Sequence, residues 1–245
     1  MKEKFIKIST ISPLENSTSN FTILSINREK YLNAVNLDVI REFTEKLCLL
    51  SSDDKCKAVI ITGAGNKSFI AGADIRLMSD MSPDEAHEYS KSGHNLCNMI
   101  ASFSKPVIAA VNGYALGGGC EIALSCHMRF SNSSAIFAQP EVSLGILAGW
   151  GGTQRLPRII GYSNSFDLLL SGRKINSEEA YRIGLVNKII DGDLINGIIE
   201  YTSSILTNSS NAISKTIESI NNSMNFIHSD SLLKETELFK DTFKH

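Results

Sequence analysis

Eight of the chain's 17 glycines fall between positions 113 and 152, a density that neither a helix nor a strand interior sustains. Across that stretch the backbone must turn, adopt positive φ, or come close to something bound. Two carboxylates close its punctuated segments. Glu121 ends Gly113-Tyr114-Ala115-Leu116-Gly117-Gly118-Gly119-Cys120-Glu121, and Glu141 ends Phe137-Ala138-Gln139-Pro140-Glu141, which is followed by Gly145, Gly149, Gly151 and Gly152. Acids set among such glycines mark this stretch as the place to look for chemistry.

The remainder of the chain has the composition of a packed protein. With 245 residues, 42% hydrophobic and 20% charged, it can bury a substantial core as one large domain, or one domain with a small appendage. A net charge of −2 and a pI near 6.2 give no long-range attraction to phosphate backbones or anionic lipid, which argues against nucleic acid as a partner. The cysteines, Cys48, Cys56, Cys97, Cys120 and Cys126, form an odd set without a Cys-x-x-Cys pair. That usage predicts reduced thiols inside a cell, and neither a disulfide framework nor a zinc site. Met1-Lys2-Glu3-Lys4-Phe5-Ile6-Lys7-Ile8 resembles neither a secretory signal nor an arginine-rich transit peptide. No stretch approaches the roughly 18 apolar residues of a membrane span, so the expected location is the cytoplasm or an organelle lumen.

Short apolar runs alternate with segments of helical period. Phe21–Ile26, Ala58–Thr62 and Pro106–Val111 read as strands. Ile40, Phe43, Leu47 and Leu50 form the stripe of an amphipathic helix capped by Asn36. Ser82-Pro83-Asp84-Glu85 is a capping box opening a second helix, with Ala86, Tyr89, Leu96 and Ile100 on its apolar side. Glu121–Cys126 reads as a buried helix, and Asn176 with Glu179 caps another that ends near Gly184. This alternation predicts an α/β fold with functional loops at strand ends. From Leu194 the chain is rich in Ser, Asn and Ile, which predicts a helical tail on the core and a boundary near residue 190, separating 1–190 from 191–245.

Other motifs fail on inspection. Gly63-Ala64-Gly65-Asn66-Lys67-Ser68 follows a strand like a phosphate loop, yet has Asn66 and Ile61 where that motif needs glycine. There is no Gly-x-Ser-x-Gly elbow, and His87, His94, His127, His228 and His245 lack metal-ligand spacing.

What remains is Ala71-Gly72-Ala73-Asp74-Ile75, the triple-glycine segment and the Pro-Glu segment. Together they resemble the enoyl-CoA hydratase, or crotonase, family. Supporting matches are Asn27-Arg28, Asn33-Ala34, Pro106–Gly113, Gly151-Gly152-Thr153-Gln154-Arg155-Leu156 and Ala180–Val186, so the resemblance runs from about Phe21 to the end. It implies a crotonase fold: a repeated ββα spiral core with a helical C-terminal trimerisation region, assembled as a trimer or a pair of trimers. It implies reversible addition of water to trans-2-enoyl-CoA. Coenzyme A is part of the substrate, with no metal or redox cofactor.

That reaction needs a base for the water, an acid for the α-carbon, and donors for the enolate-like oxygen formed between them. By the resemblance, Glu121 and Glu141 are the acid–base pair. The sequence does not divide the roles, although Glu141 is the preferred main base. By the same resemblance, the oxyanion donors are the backbone N–H groups of Ala73 and Gly118, and removing one such donor commonly costs roughly 3 kcal/mol of transition-state stabilisation. Ala71, Asp74, Ile75 and Arg76 fall in the segment implied to contact coenzyme A, and Gly149 matches the glycine whose backbone is implied to line the catalytic pocket. Trp150 is expected either to shape the acyl pocket or simply to pack.

Departures from the family pattern concern the acyl pocket. Ala148-Gly149 stands where Pro-Gly is common, and Trp150 takes a place often held by other side chains. The sequence closes at Phe239–His245, short of the final helical segment of most members, which predicts weaker coenzyme binding, a different acyl range, or an incomplete chain. Two rival readings stand beside hydration. Enoyl-CoA isomerisation generally needs one carboxylate, and a non-catalytic acyl-CoA-binding protein needs none.

Overall fold

The computed structural model describes residues 5–13, 19–78 and 81–225. The closing stretch 226–245, on which the expectation of a shortened cover rested, lies outside the described residues, as does 1–4 at the start. In chain order the strands are β1 (Ile6–Ile11), β2 (Asn20–Ile26), β3 (Cys56–Gly63), β4 (Ser68–Ile70), β5 (Val107–Val111), β6 (Tyr114–Leu116), β7 (Met128–Ser131), β8 (Ile136–Ala138), β9 (Ile175–Asn176) and β10 (Lys188–Ile189). The helices are α1 (Leu37–Ser51), α2 (Ile75–Met78), α3 (Pro83–Ala101), α4 (Gly118–Ser125), α5 (Gly152–Ser171), α6 (Ser177–Arg182), α7 (Leu194–Thr202) and α8 (Ser210–Asn225).

Among the described residues the strands form a six-stranded sheet, ordered β1-β2-β3-β5-β7-β10, and a four-stranded sheet, ordered β4-β6-β8-β9. Pairing is parallel except for β1 with β2 and β8 with β9. The pairs β3/β4, β5/β6 and β7/β8 each give their first strand to the large sheet and their second to the small one, and the chain then continues into helix. This is the repeated ββα unit expected from the resemblance.

The central strands β3 and β5 carry apolar runs, Ala58-Val59-Ile60-Ile61 and Val107–Val111, because both faces are covered. In β3, Val59 and Ile61 enter the core between the sheets and α1, α3, α4 and α5, whereas Ala58 and Ile60 face the second core, closed by Leu194, Ile198 and Ile199 of α7. β5 alternates in the same way, with Val107, Ala109 and Val111 on one side and Ile108 and Ala110 on the other.

The expected caps are formed. The Val39 N–H donates to the Asn36 side chain (3.0 Å), Ser82 and Glu85 make the reciprocal box, and Asn176 accepts from the Glu179 N–H (2.9 Å). Tyr89, Leu96 and Ile100 of α3 are buried as expected; Ala86 is exposed, at the wall of a cavity. No helix among the described residues is long and apolar enough to cross a membrane.

Candidate active site

Helix α4 carries Glu121 as its fourth residue, and every residue of the helix is buried. Its glycines answer to protein contacts as well as to any ligand. A Cβ on Gly119 would stand 2.0 Å from the Ile70 carbonyl oxygen of β4, and one on Gly118 would stand 2.6 Å from Cζ3 of Trp150. Gly117 has φ of +50°, and a Cβ there would lie 2.7 Å from Oε1 of Glu141. The triple glycine therefore lets α4 seat between β4, Trp150 and the second carboxylate.

Glu121 is 2% exposed, and its Oε1 accepts from the backbone N–H groups of Trp150 and Gly152, both at 2.7 Å. Gly152 begins α5, so the carboxylate sits at the positive end of that helix's first segment, which runs to the break at Gly161. Burial pushes the Glu121 pKa up, against the two N–H bonds and the nearby Arg155 guanidinium, which pull it down.

Glu141 follows β8 and opens a 3₁₀ turn, Glu141–Leu144. The Gln139 amide, oriented by its hydrogen-bond partners, donates to both carboxylate oxygens at 3.1 Å. Burial pushes the pKa of Glu141 up to about 7; its own backbone N–H opposes this and the charge of Glu121 adds to it.

Ala73 and Gly118 border the same space as the carboxylates. Val35 bridges Ala73 in parallel fashion: Val35 N–H donates to Gly72 O (2.9 Å) and Val35 O accepts from Asp74 N–H (3.0 Å). Those bonds use the residues flanking Ala73 and turn its own N–H to the opposite side. Gly118 lies in the first turn of α4, where N–H groups have no intrahelical acceptor. A cavity of about 570 Å³ is lined by Ala71, Ala73, Ile75, Gly118, Glu121, Glu141 and Gly149. Asp74 and Arg76 are absent from that lining: Asp74 is ion-paired with Arg28 at 3.2 Å, and Arg76 is exposed on α2.

Several participants escaped the sequence reading. Gln139 stands two residues before Glu141, across Pro140, which caps the turn that Glu141 opens, and that closeness in sequence was the available signal. Ser90 Oγ donates to Gly149 O (2.6 Å), while Arg155 holds Trp150 O (2.9 Å) and Asn98 (2.7 Å), fixing the loop that binds Glu121. Trp150 both packs and lines: it is 3% exposed yet borders the cavity. Ala148 borders a second, apolar chamber of about 300 Å³ that shares Glu141 and Leu147 with the first and is walled by Val142, Pro157, Phe166 and Leu169.

A buried carboxylate pair beside two free-facing amides can move protons next to a carbonyl whose oxygen gains charge. The model of the enoyl-CoA hydratase/isomerase family matches residues 16–245. The chain belongs to that family. It is 43% identical over 222 residues to the short-chain-enoyl-CoA hydratase of Clostridium acetobutylicum, covering 90% of this chain and 85% of that protein. A match to the crotonyl-CoA hydratase of Syntrophomonas wolfei is 49% identical over 168 residues, 69% of this chain and 65% of the other. The crystal structure of enoyl-CoA hydratase from Bacillus anthracis superposes with a TM-score of 0.89 at 32% identity, covering 97% of this chain and 90% of that one. The crotonase fold is thereby established.

Proposed function

We propose that this chain is an enoyl-CoA hydratase, adding water reversibly and syn across trans-2-enoyl-CoA to give 3-hydroxyacyl-CoA. The observation that carries the reading is the convergence of two buried carboxylates and two backbone donors on one cavity. The thioester oxygen accepts from Ala73 N–H and Gly118 N–H, where the start of α4 adds positive potential. A carbon–oxygen bond forms at the β-carbon as a water O–H bond breaks, the proton passing to one carboxylate. The enolate then collapses, and the α-carbon takes a proton from the other.

The supports of the two acids favour Glu121 as base and Glu141 as acid, the reverse of the sequence preference. Burial raises Glu121 as it does Glu141, but at Glu121 two short N–H bonds at a helix N-terminus and the field of Arg155 oppose the rise and favour the charged form. Glu141 is pushed up to about 7 and keeps its proton near neutrality. The pair holds one proton before and after the step, and Glu121 returns it to Glu141 through solvent; the observed titration belongs to the pair. Coenzyme A arrives as part of the substrate, and the named residues account for every proton moved.

The apolar chamber beyond Glu141 fits the acyl chain, with Ala148 and Phe166 at its wall. Assembly as a trimer or a pair of trimers is supported by Tyr162, Phe166 and Leu170, spaced by four along α5 and 74%, 61% and 71% exposed in the single chain. Sedimentation or light scattering tests it, and a stable monomer refutes it.

The activity is tested by following loss of the enoyl-thioester absorbance with crotonyl-CoA. Glu121→Gln and Glu141→Gln are each expected to lower kcat by about 10²–10⁴-fold. Isomerisation of a 3-enoyl-CoA by a protein that does not hydrate crotonyl-CoA would overturn hydration in favour of the one-carboxylate reaction. Binding without turnover would favour a non-catalytic role.

A further inference from the structure

Resting on the hydratase reading, we propose that Tyr89 and Trp150 form one positioning unit that holds Ala73 N–H, Gly118 N–H and Glu121 in register around the thioester. Each link is a contact of the fold. The six-membered ring of Trp150 lies against Gly118, where a Cβ would stand 2.6 Å from Cζ3, and its pyrrole edge lies against Gly93 of α3, where a Cβ would stand 2.2 Å from Cδ1. The backbone N–H of Trp150 is also one of the two donors to Glu121. Trp150 thus touches one oxyanion donor with its side chain and the Glu121 carboxylate with its main chain.

The other donor is reached through Tyr89. The two rings pack with centroids 5.7 Å apart at 57°, and the buried Tyr89 hydroxyl donates to Val35 O at 3.0 Å. That carbonyl also accepts the Asp74 N–H, and Val35 N–H holds Gly72 O, so the Tyr89 bond braces the bridge that aims Ala73 N–H. Burial raises the phenol's pKa above its ordinary value, which keeps it a donor at working pH. Gly93 completes the fit, because only a residue without Cβ lets the indole reach both partners. Oxyanion stabilisation depends on donors held within a fraction of an ångström of the developing charge, so a shift of the ring pair is felt at both donors together.

The test uses Tyr89→Phe, which removes one hydroxyl and leaves the ring on Trp150, with Trp150→Phe as the second variant. The probe is 4-dimethylaminocinnamoyl-CoA, a push–pull thioester whose absorbance moves to longer wavelength as its carbonyl is polarised. Wild type is expected to red-shift the saturated probe, and either variant to lose half or more of that shift. With crotonyl-CoA, kcat is expected to fall about tenfold or more while KM stays within about twofold. Affinity of Tyr89→Phe for butyl-CoA thioether, which has no carbonyl, is expected to be unchanged. A red shift and saturated kcat per folded molecule equal to wild type in both variants would overturn the inference, since a purely structural role lowers only the folded fraction. No red shift with wild type would instead sink the hydratase reading itself.

Discussion

Replacing Glu141 with glutamine removes a charge that the fold resists and leaves a side chain of the same shape. Glu141 is 9% exposed, and burial moves its pKa from 4.5 up to about 7. A gap of about 2.5 pH units at about 1.4 kcal/mol each gives about 3 kcal/mol. The sign follows from proton binding. Between pH 4.5 and about 7 the native state holds a proton that the unfolded chain releases, so stability falls as pH rises. Glu141's contribution is fully present below pH 4.5 and is lost as pH passes about 7. Glutamine is neutral at every pH, and it also removes the mutual repulsion by which the charge of Glu121 adds to the rise at Glu141. Glu141→Gln is therefore expected to match wild type at about pH 4.5 and to exceed it by up to about 3 kcal/mol at pH 8, while losing turnover. Urea denaturation of both proteins across that range measures the difference. A difference that does not vary with pH, or a variant less stable than wild type at pH 8, refutes the reasoning that burial of a charge sets this site.

Three further outcomes follow from the geometry. The pH profile of kcat/KM for hydration is expected to be bell-shaped, rising as Glu121 ionises and falling tenfold per pH unit above an upper limit near 7, where Glu141 loses its proton; Glu141→Gln should abolish that upper limb. Gly117→Ala puts a Cβ 2.7 Å from Glu141 Oε1 at a φ of +50°, and is expected to cost about 1–3 kcal/mol of stability and at least tenfold in kcat, read by denaturation and crotonyl-CoA assay. Arg129 is 8% exposed and donates to the carbonyls of Cys126 (2.7 Å), Leu185 (2.8 Å) and Ala123 (3.5 Å). Arg129→Met should leave these acceptors unpaired and lower stability by about 3 kcal/mol in denaturant titration.

Legibility followed the strength of the local signal. β2, β3 and β5 were readable because strands covered on both faces carry apolar side chains on both, as at Phe21, Ile23, Leu24 and Ile26, Ala58-Val59-Ile60-Ile61 and Val107–Val111, and α1, α3 and α6 because their caps are written in Asn36, Ser82 and Asn176. β4, β6 and β8 span three residues each, too short for any period to show. α5 was concealed by Pro157 and by Gly161, whose φ of 77° and ψ of 162° break it in the middle. At the site, Ala71, Ala73, Ile75, Gly118, Glu121, Glu141 and Gly149 share one cavity, whereas Asp74 turns to Arg28. No local pattern announces a partner 46 residues away. The supports of the carboxylates were equally silent, since most are backbone N–H groups that every residue but proline carries.

That reliance on the backbone accounts for the glycine cluster. A carboxylate pair with raised proton affinity must stay out of water and away from full ion pairing, because a lysine or arginine in direct contact would hold both acids ionised. Main-chain N–H groups supply partial positive charge without that consequence, but only where chain segments come within hydrogen-bond reach of an acid. Gly117 admits Glu141, Gly118 admits Trp150, and Gly152 brings the start of α5 to Glu121. Helix α4 concentrates the arrangement: it offers an amide at its first residue and an acid at its fourth, and its last carbonyls are held by Arg129. Adding a methyl group at 117 or 118 therefore strikes the carboxylate or the indole before it meets substrate, so loss of activity at either position should persist for the smallest enoyl thioester that still binds.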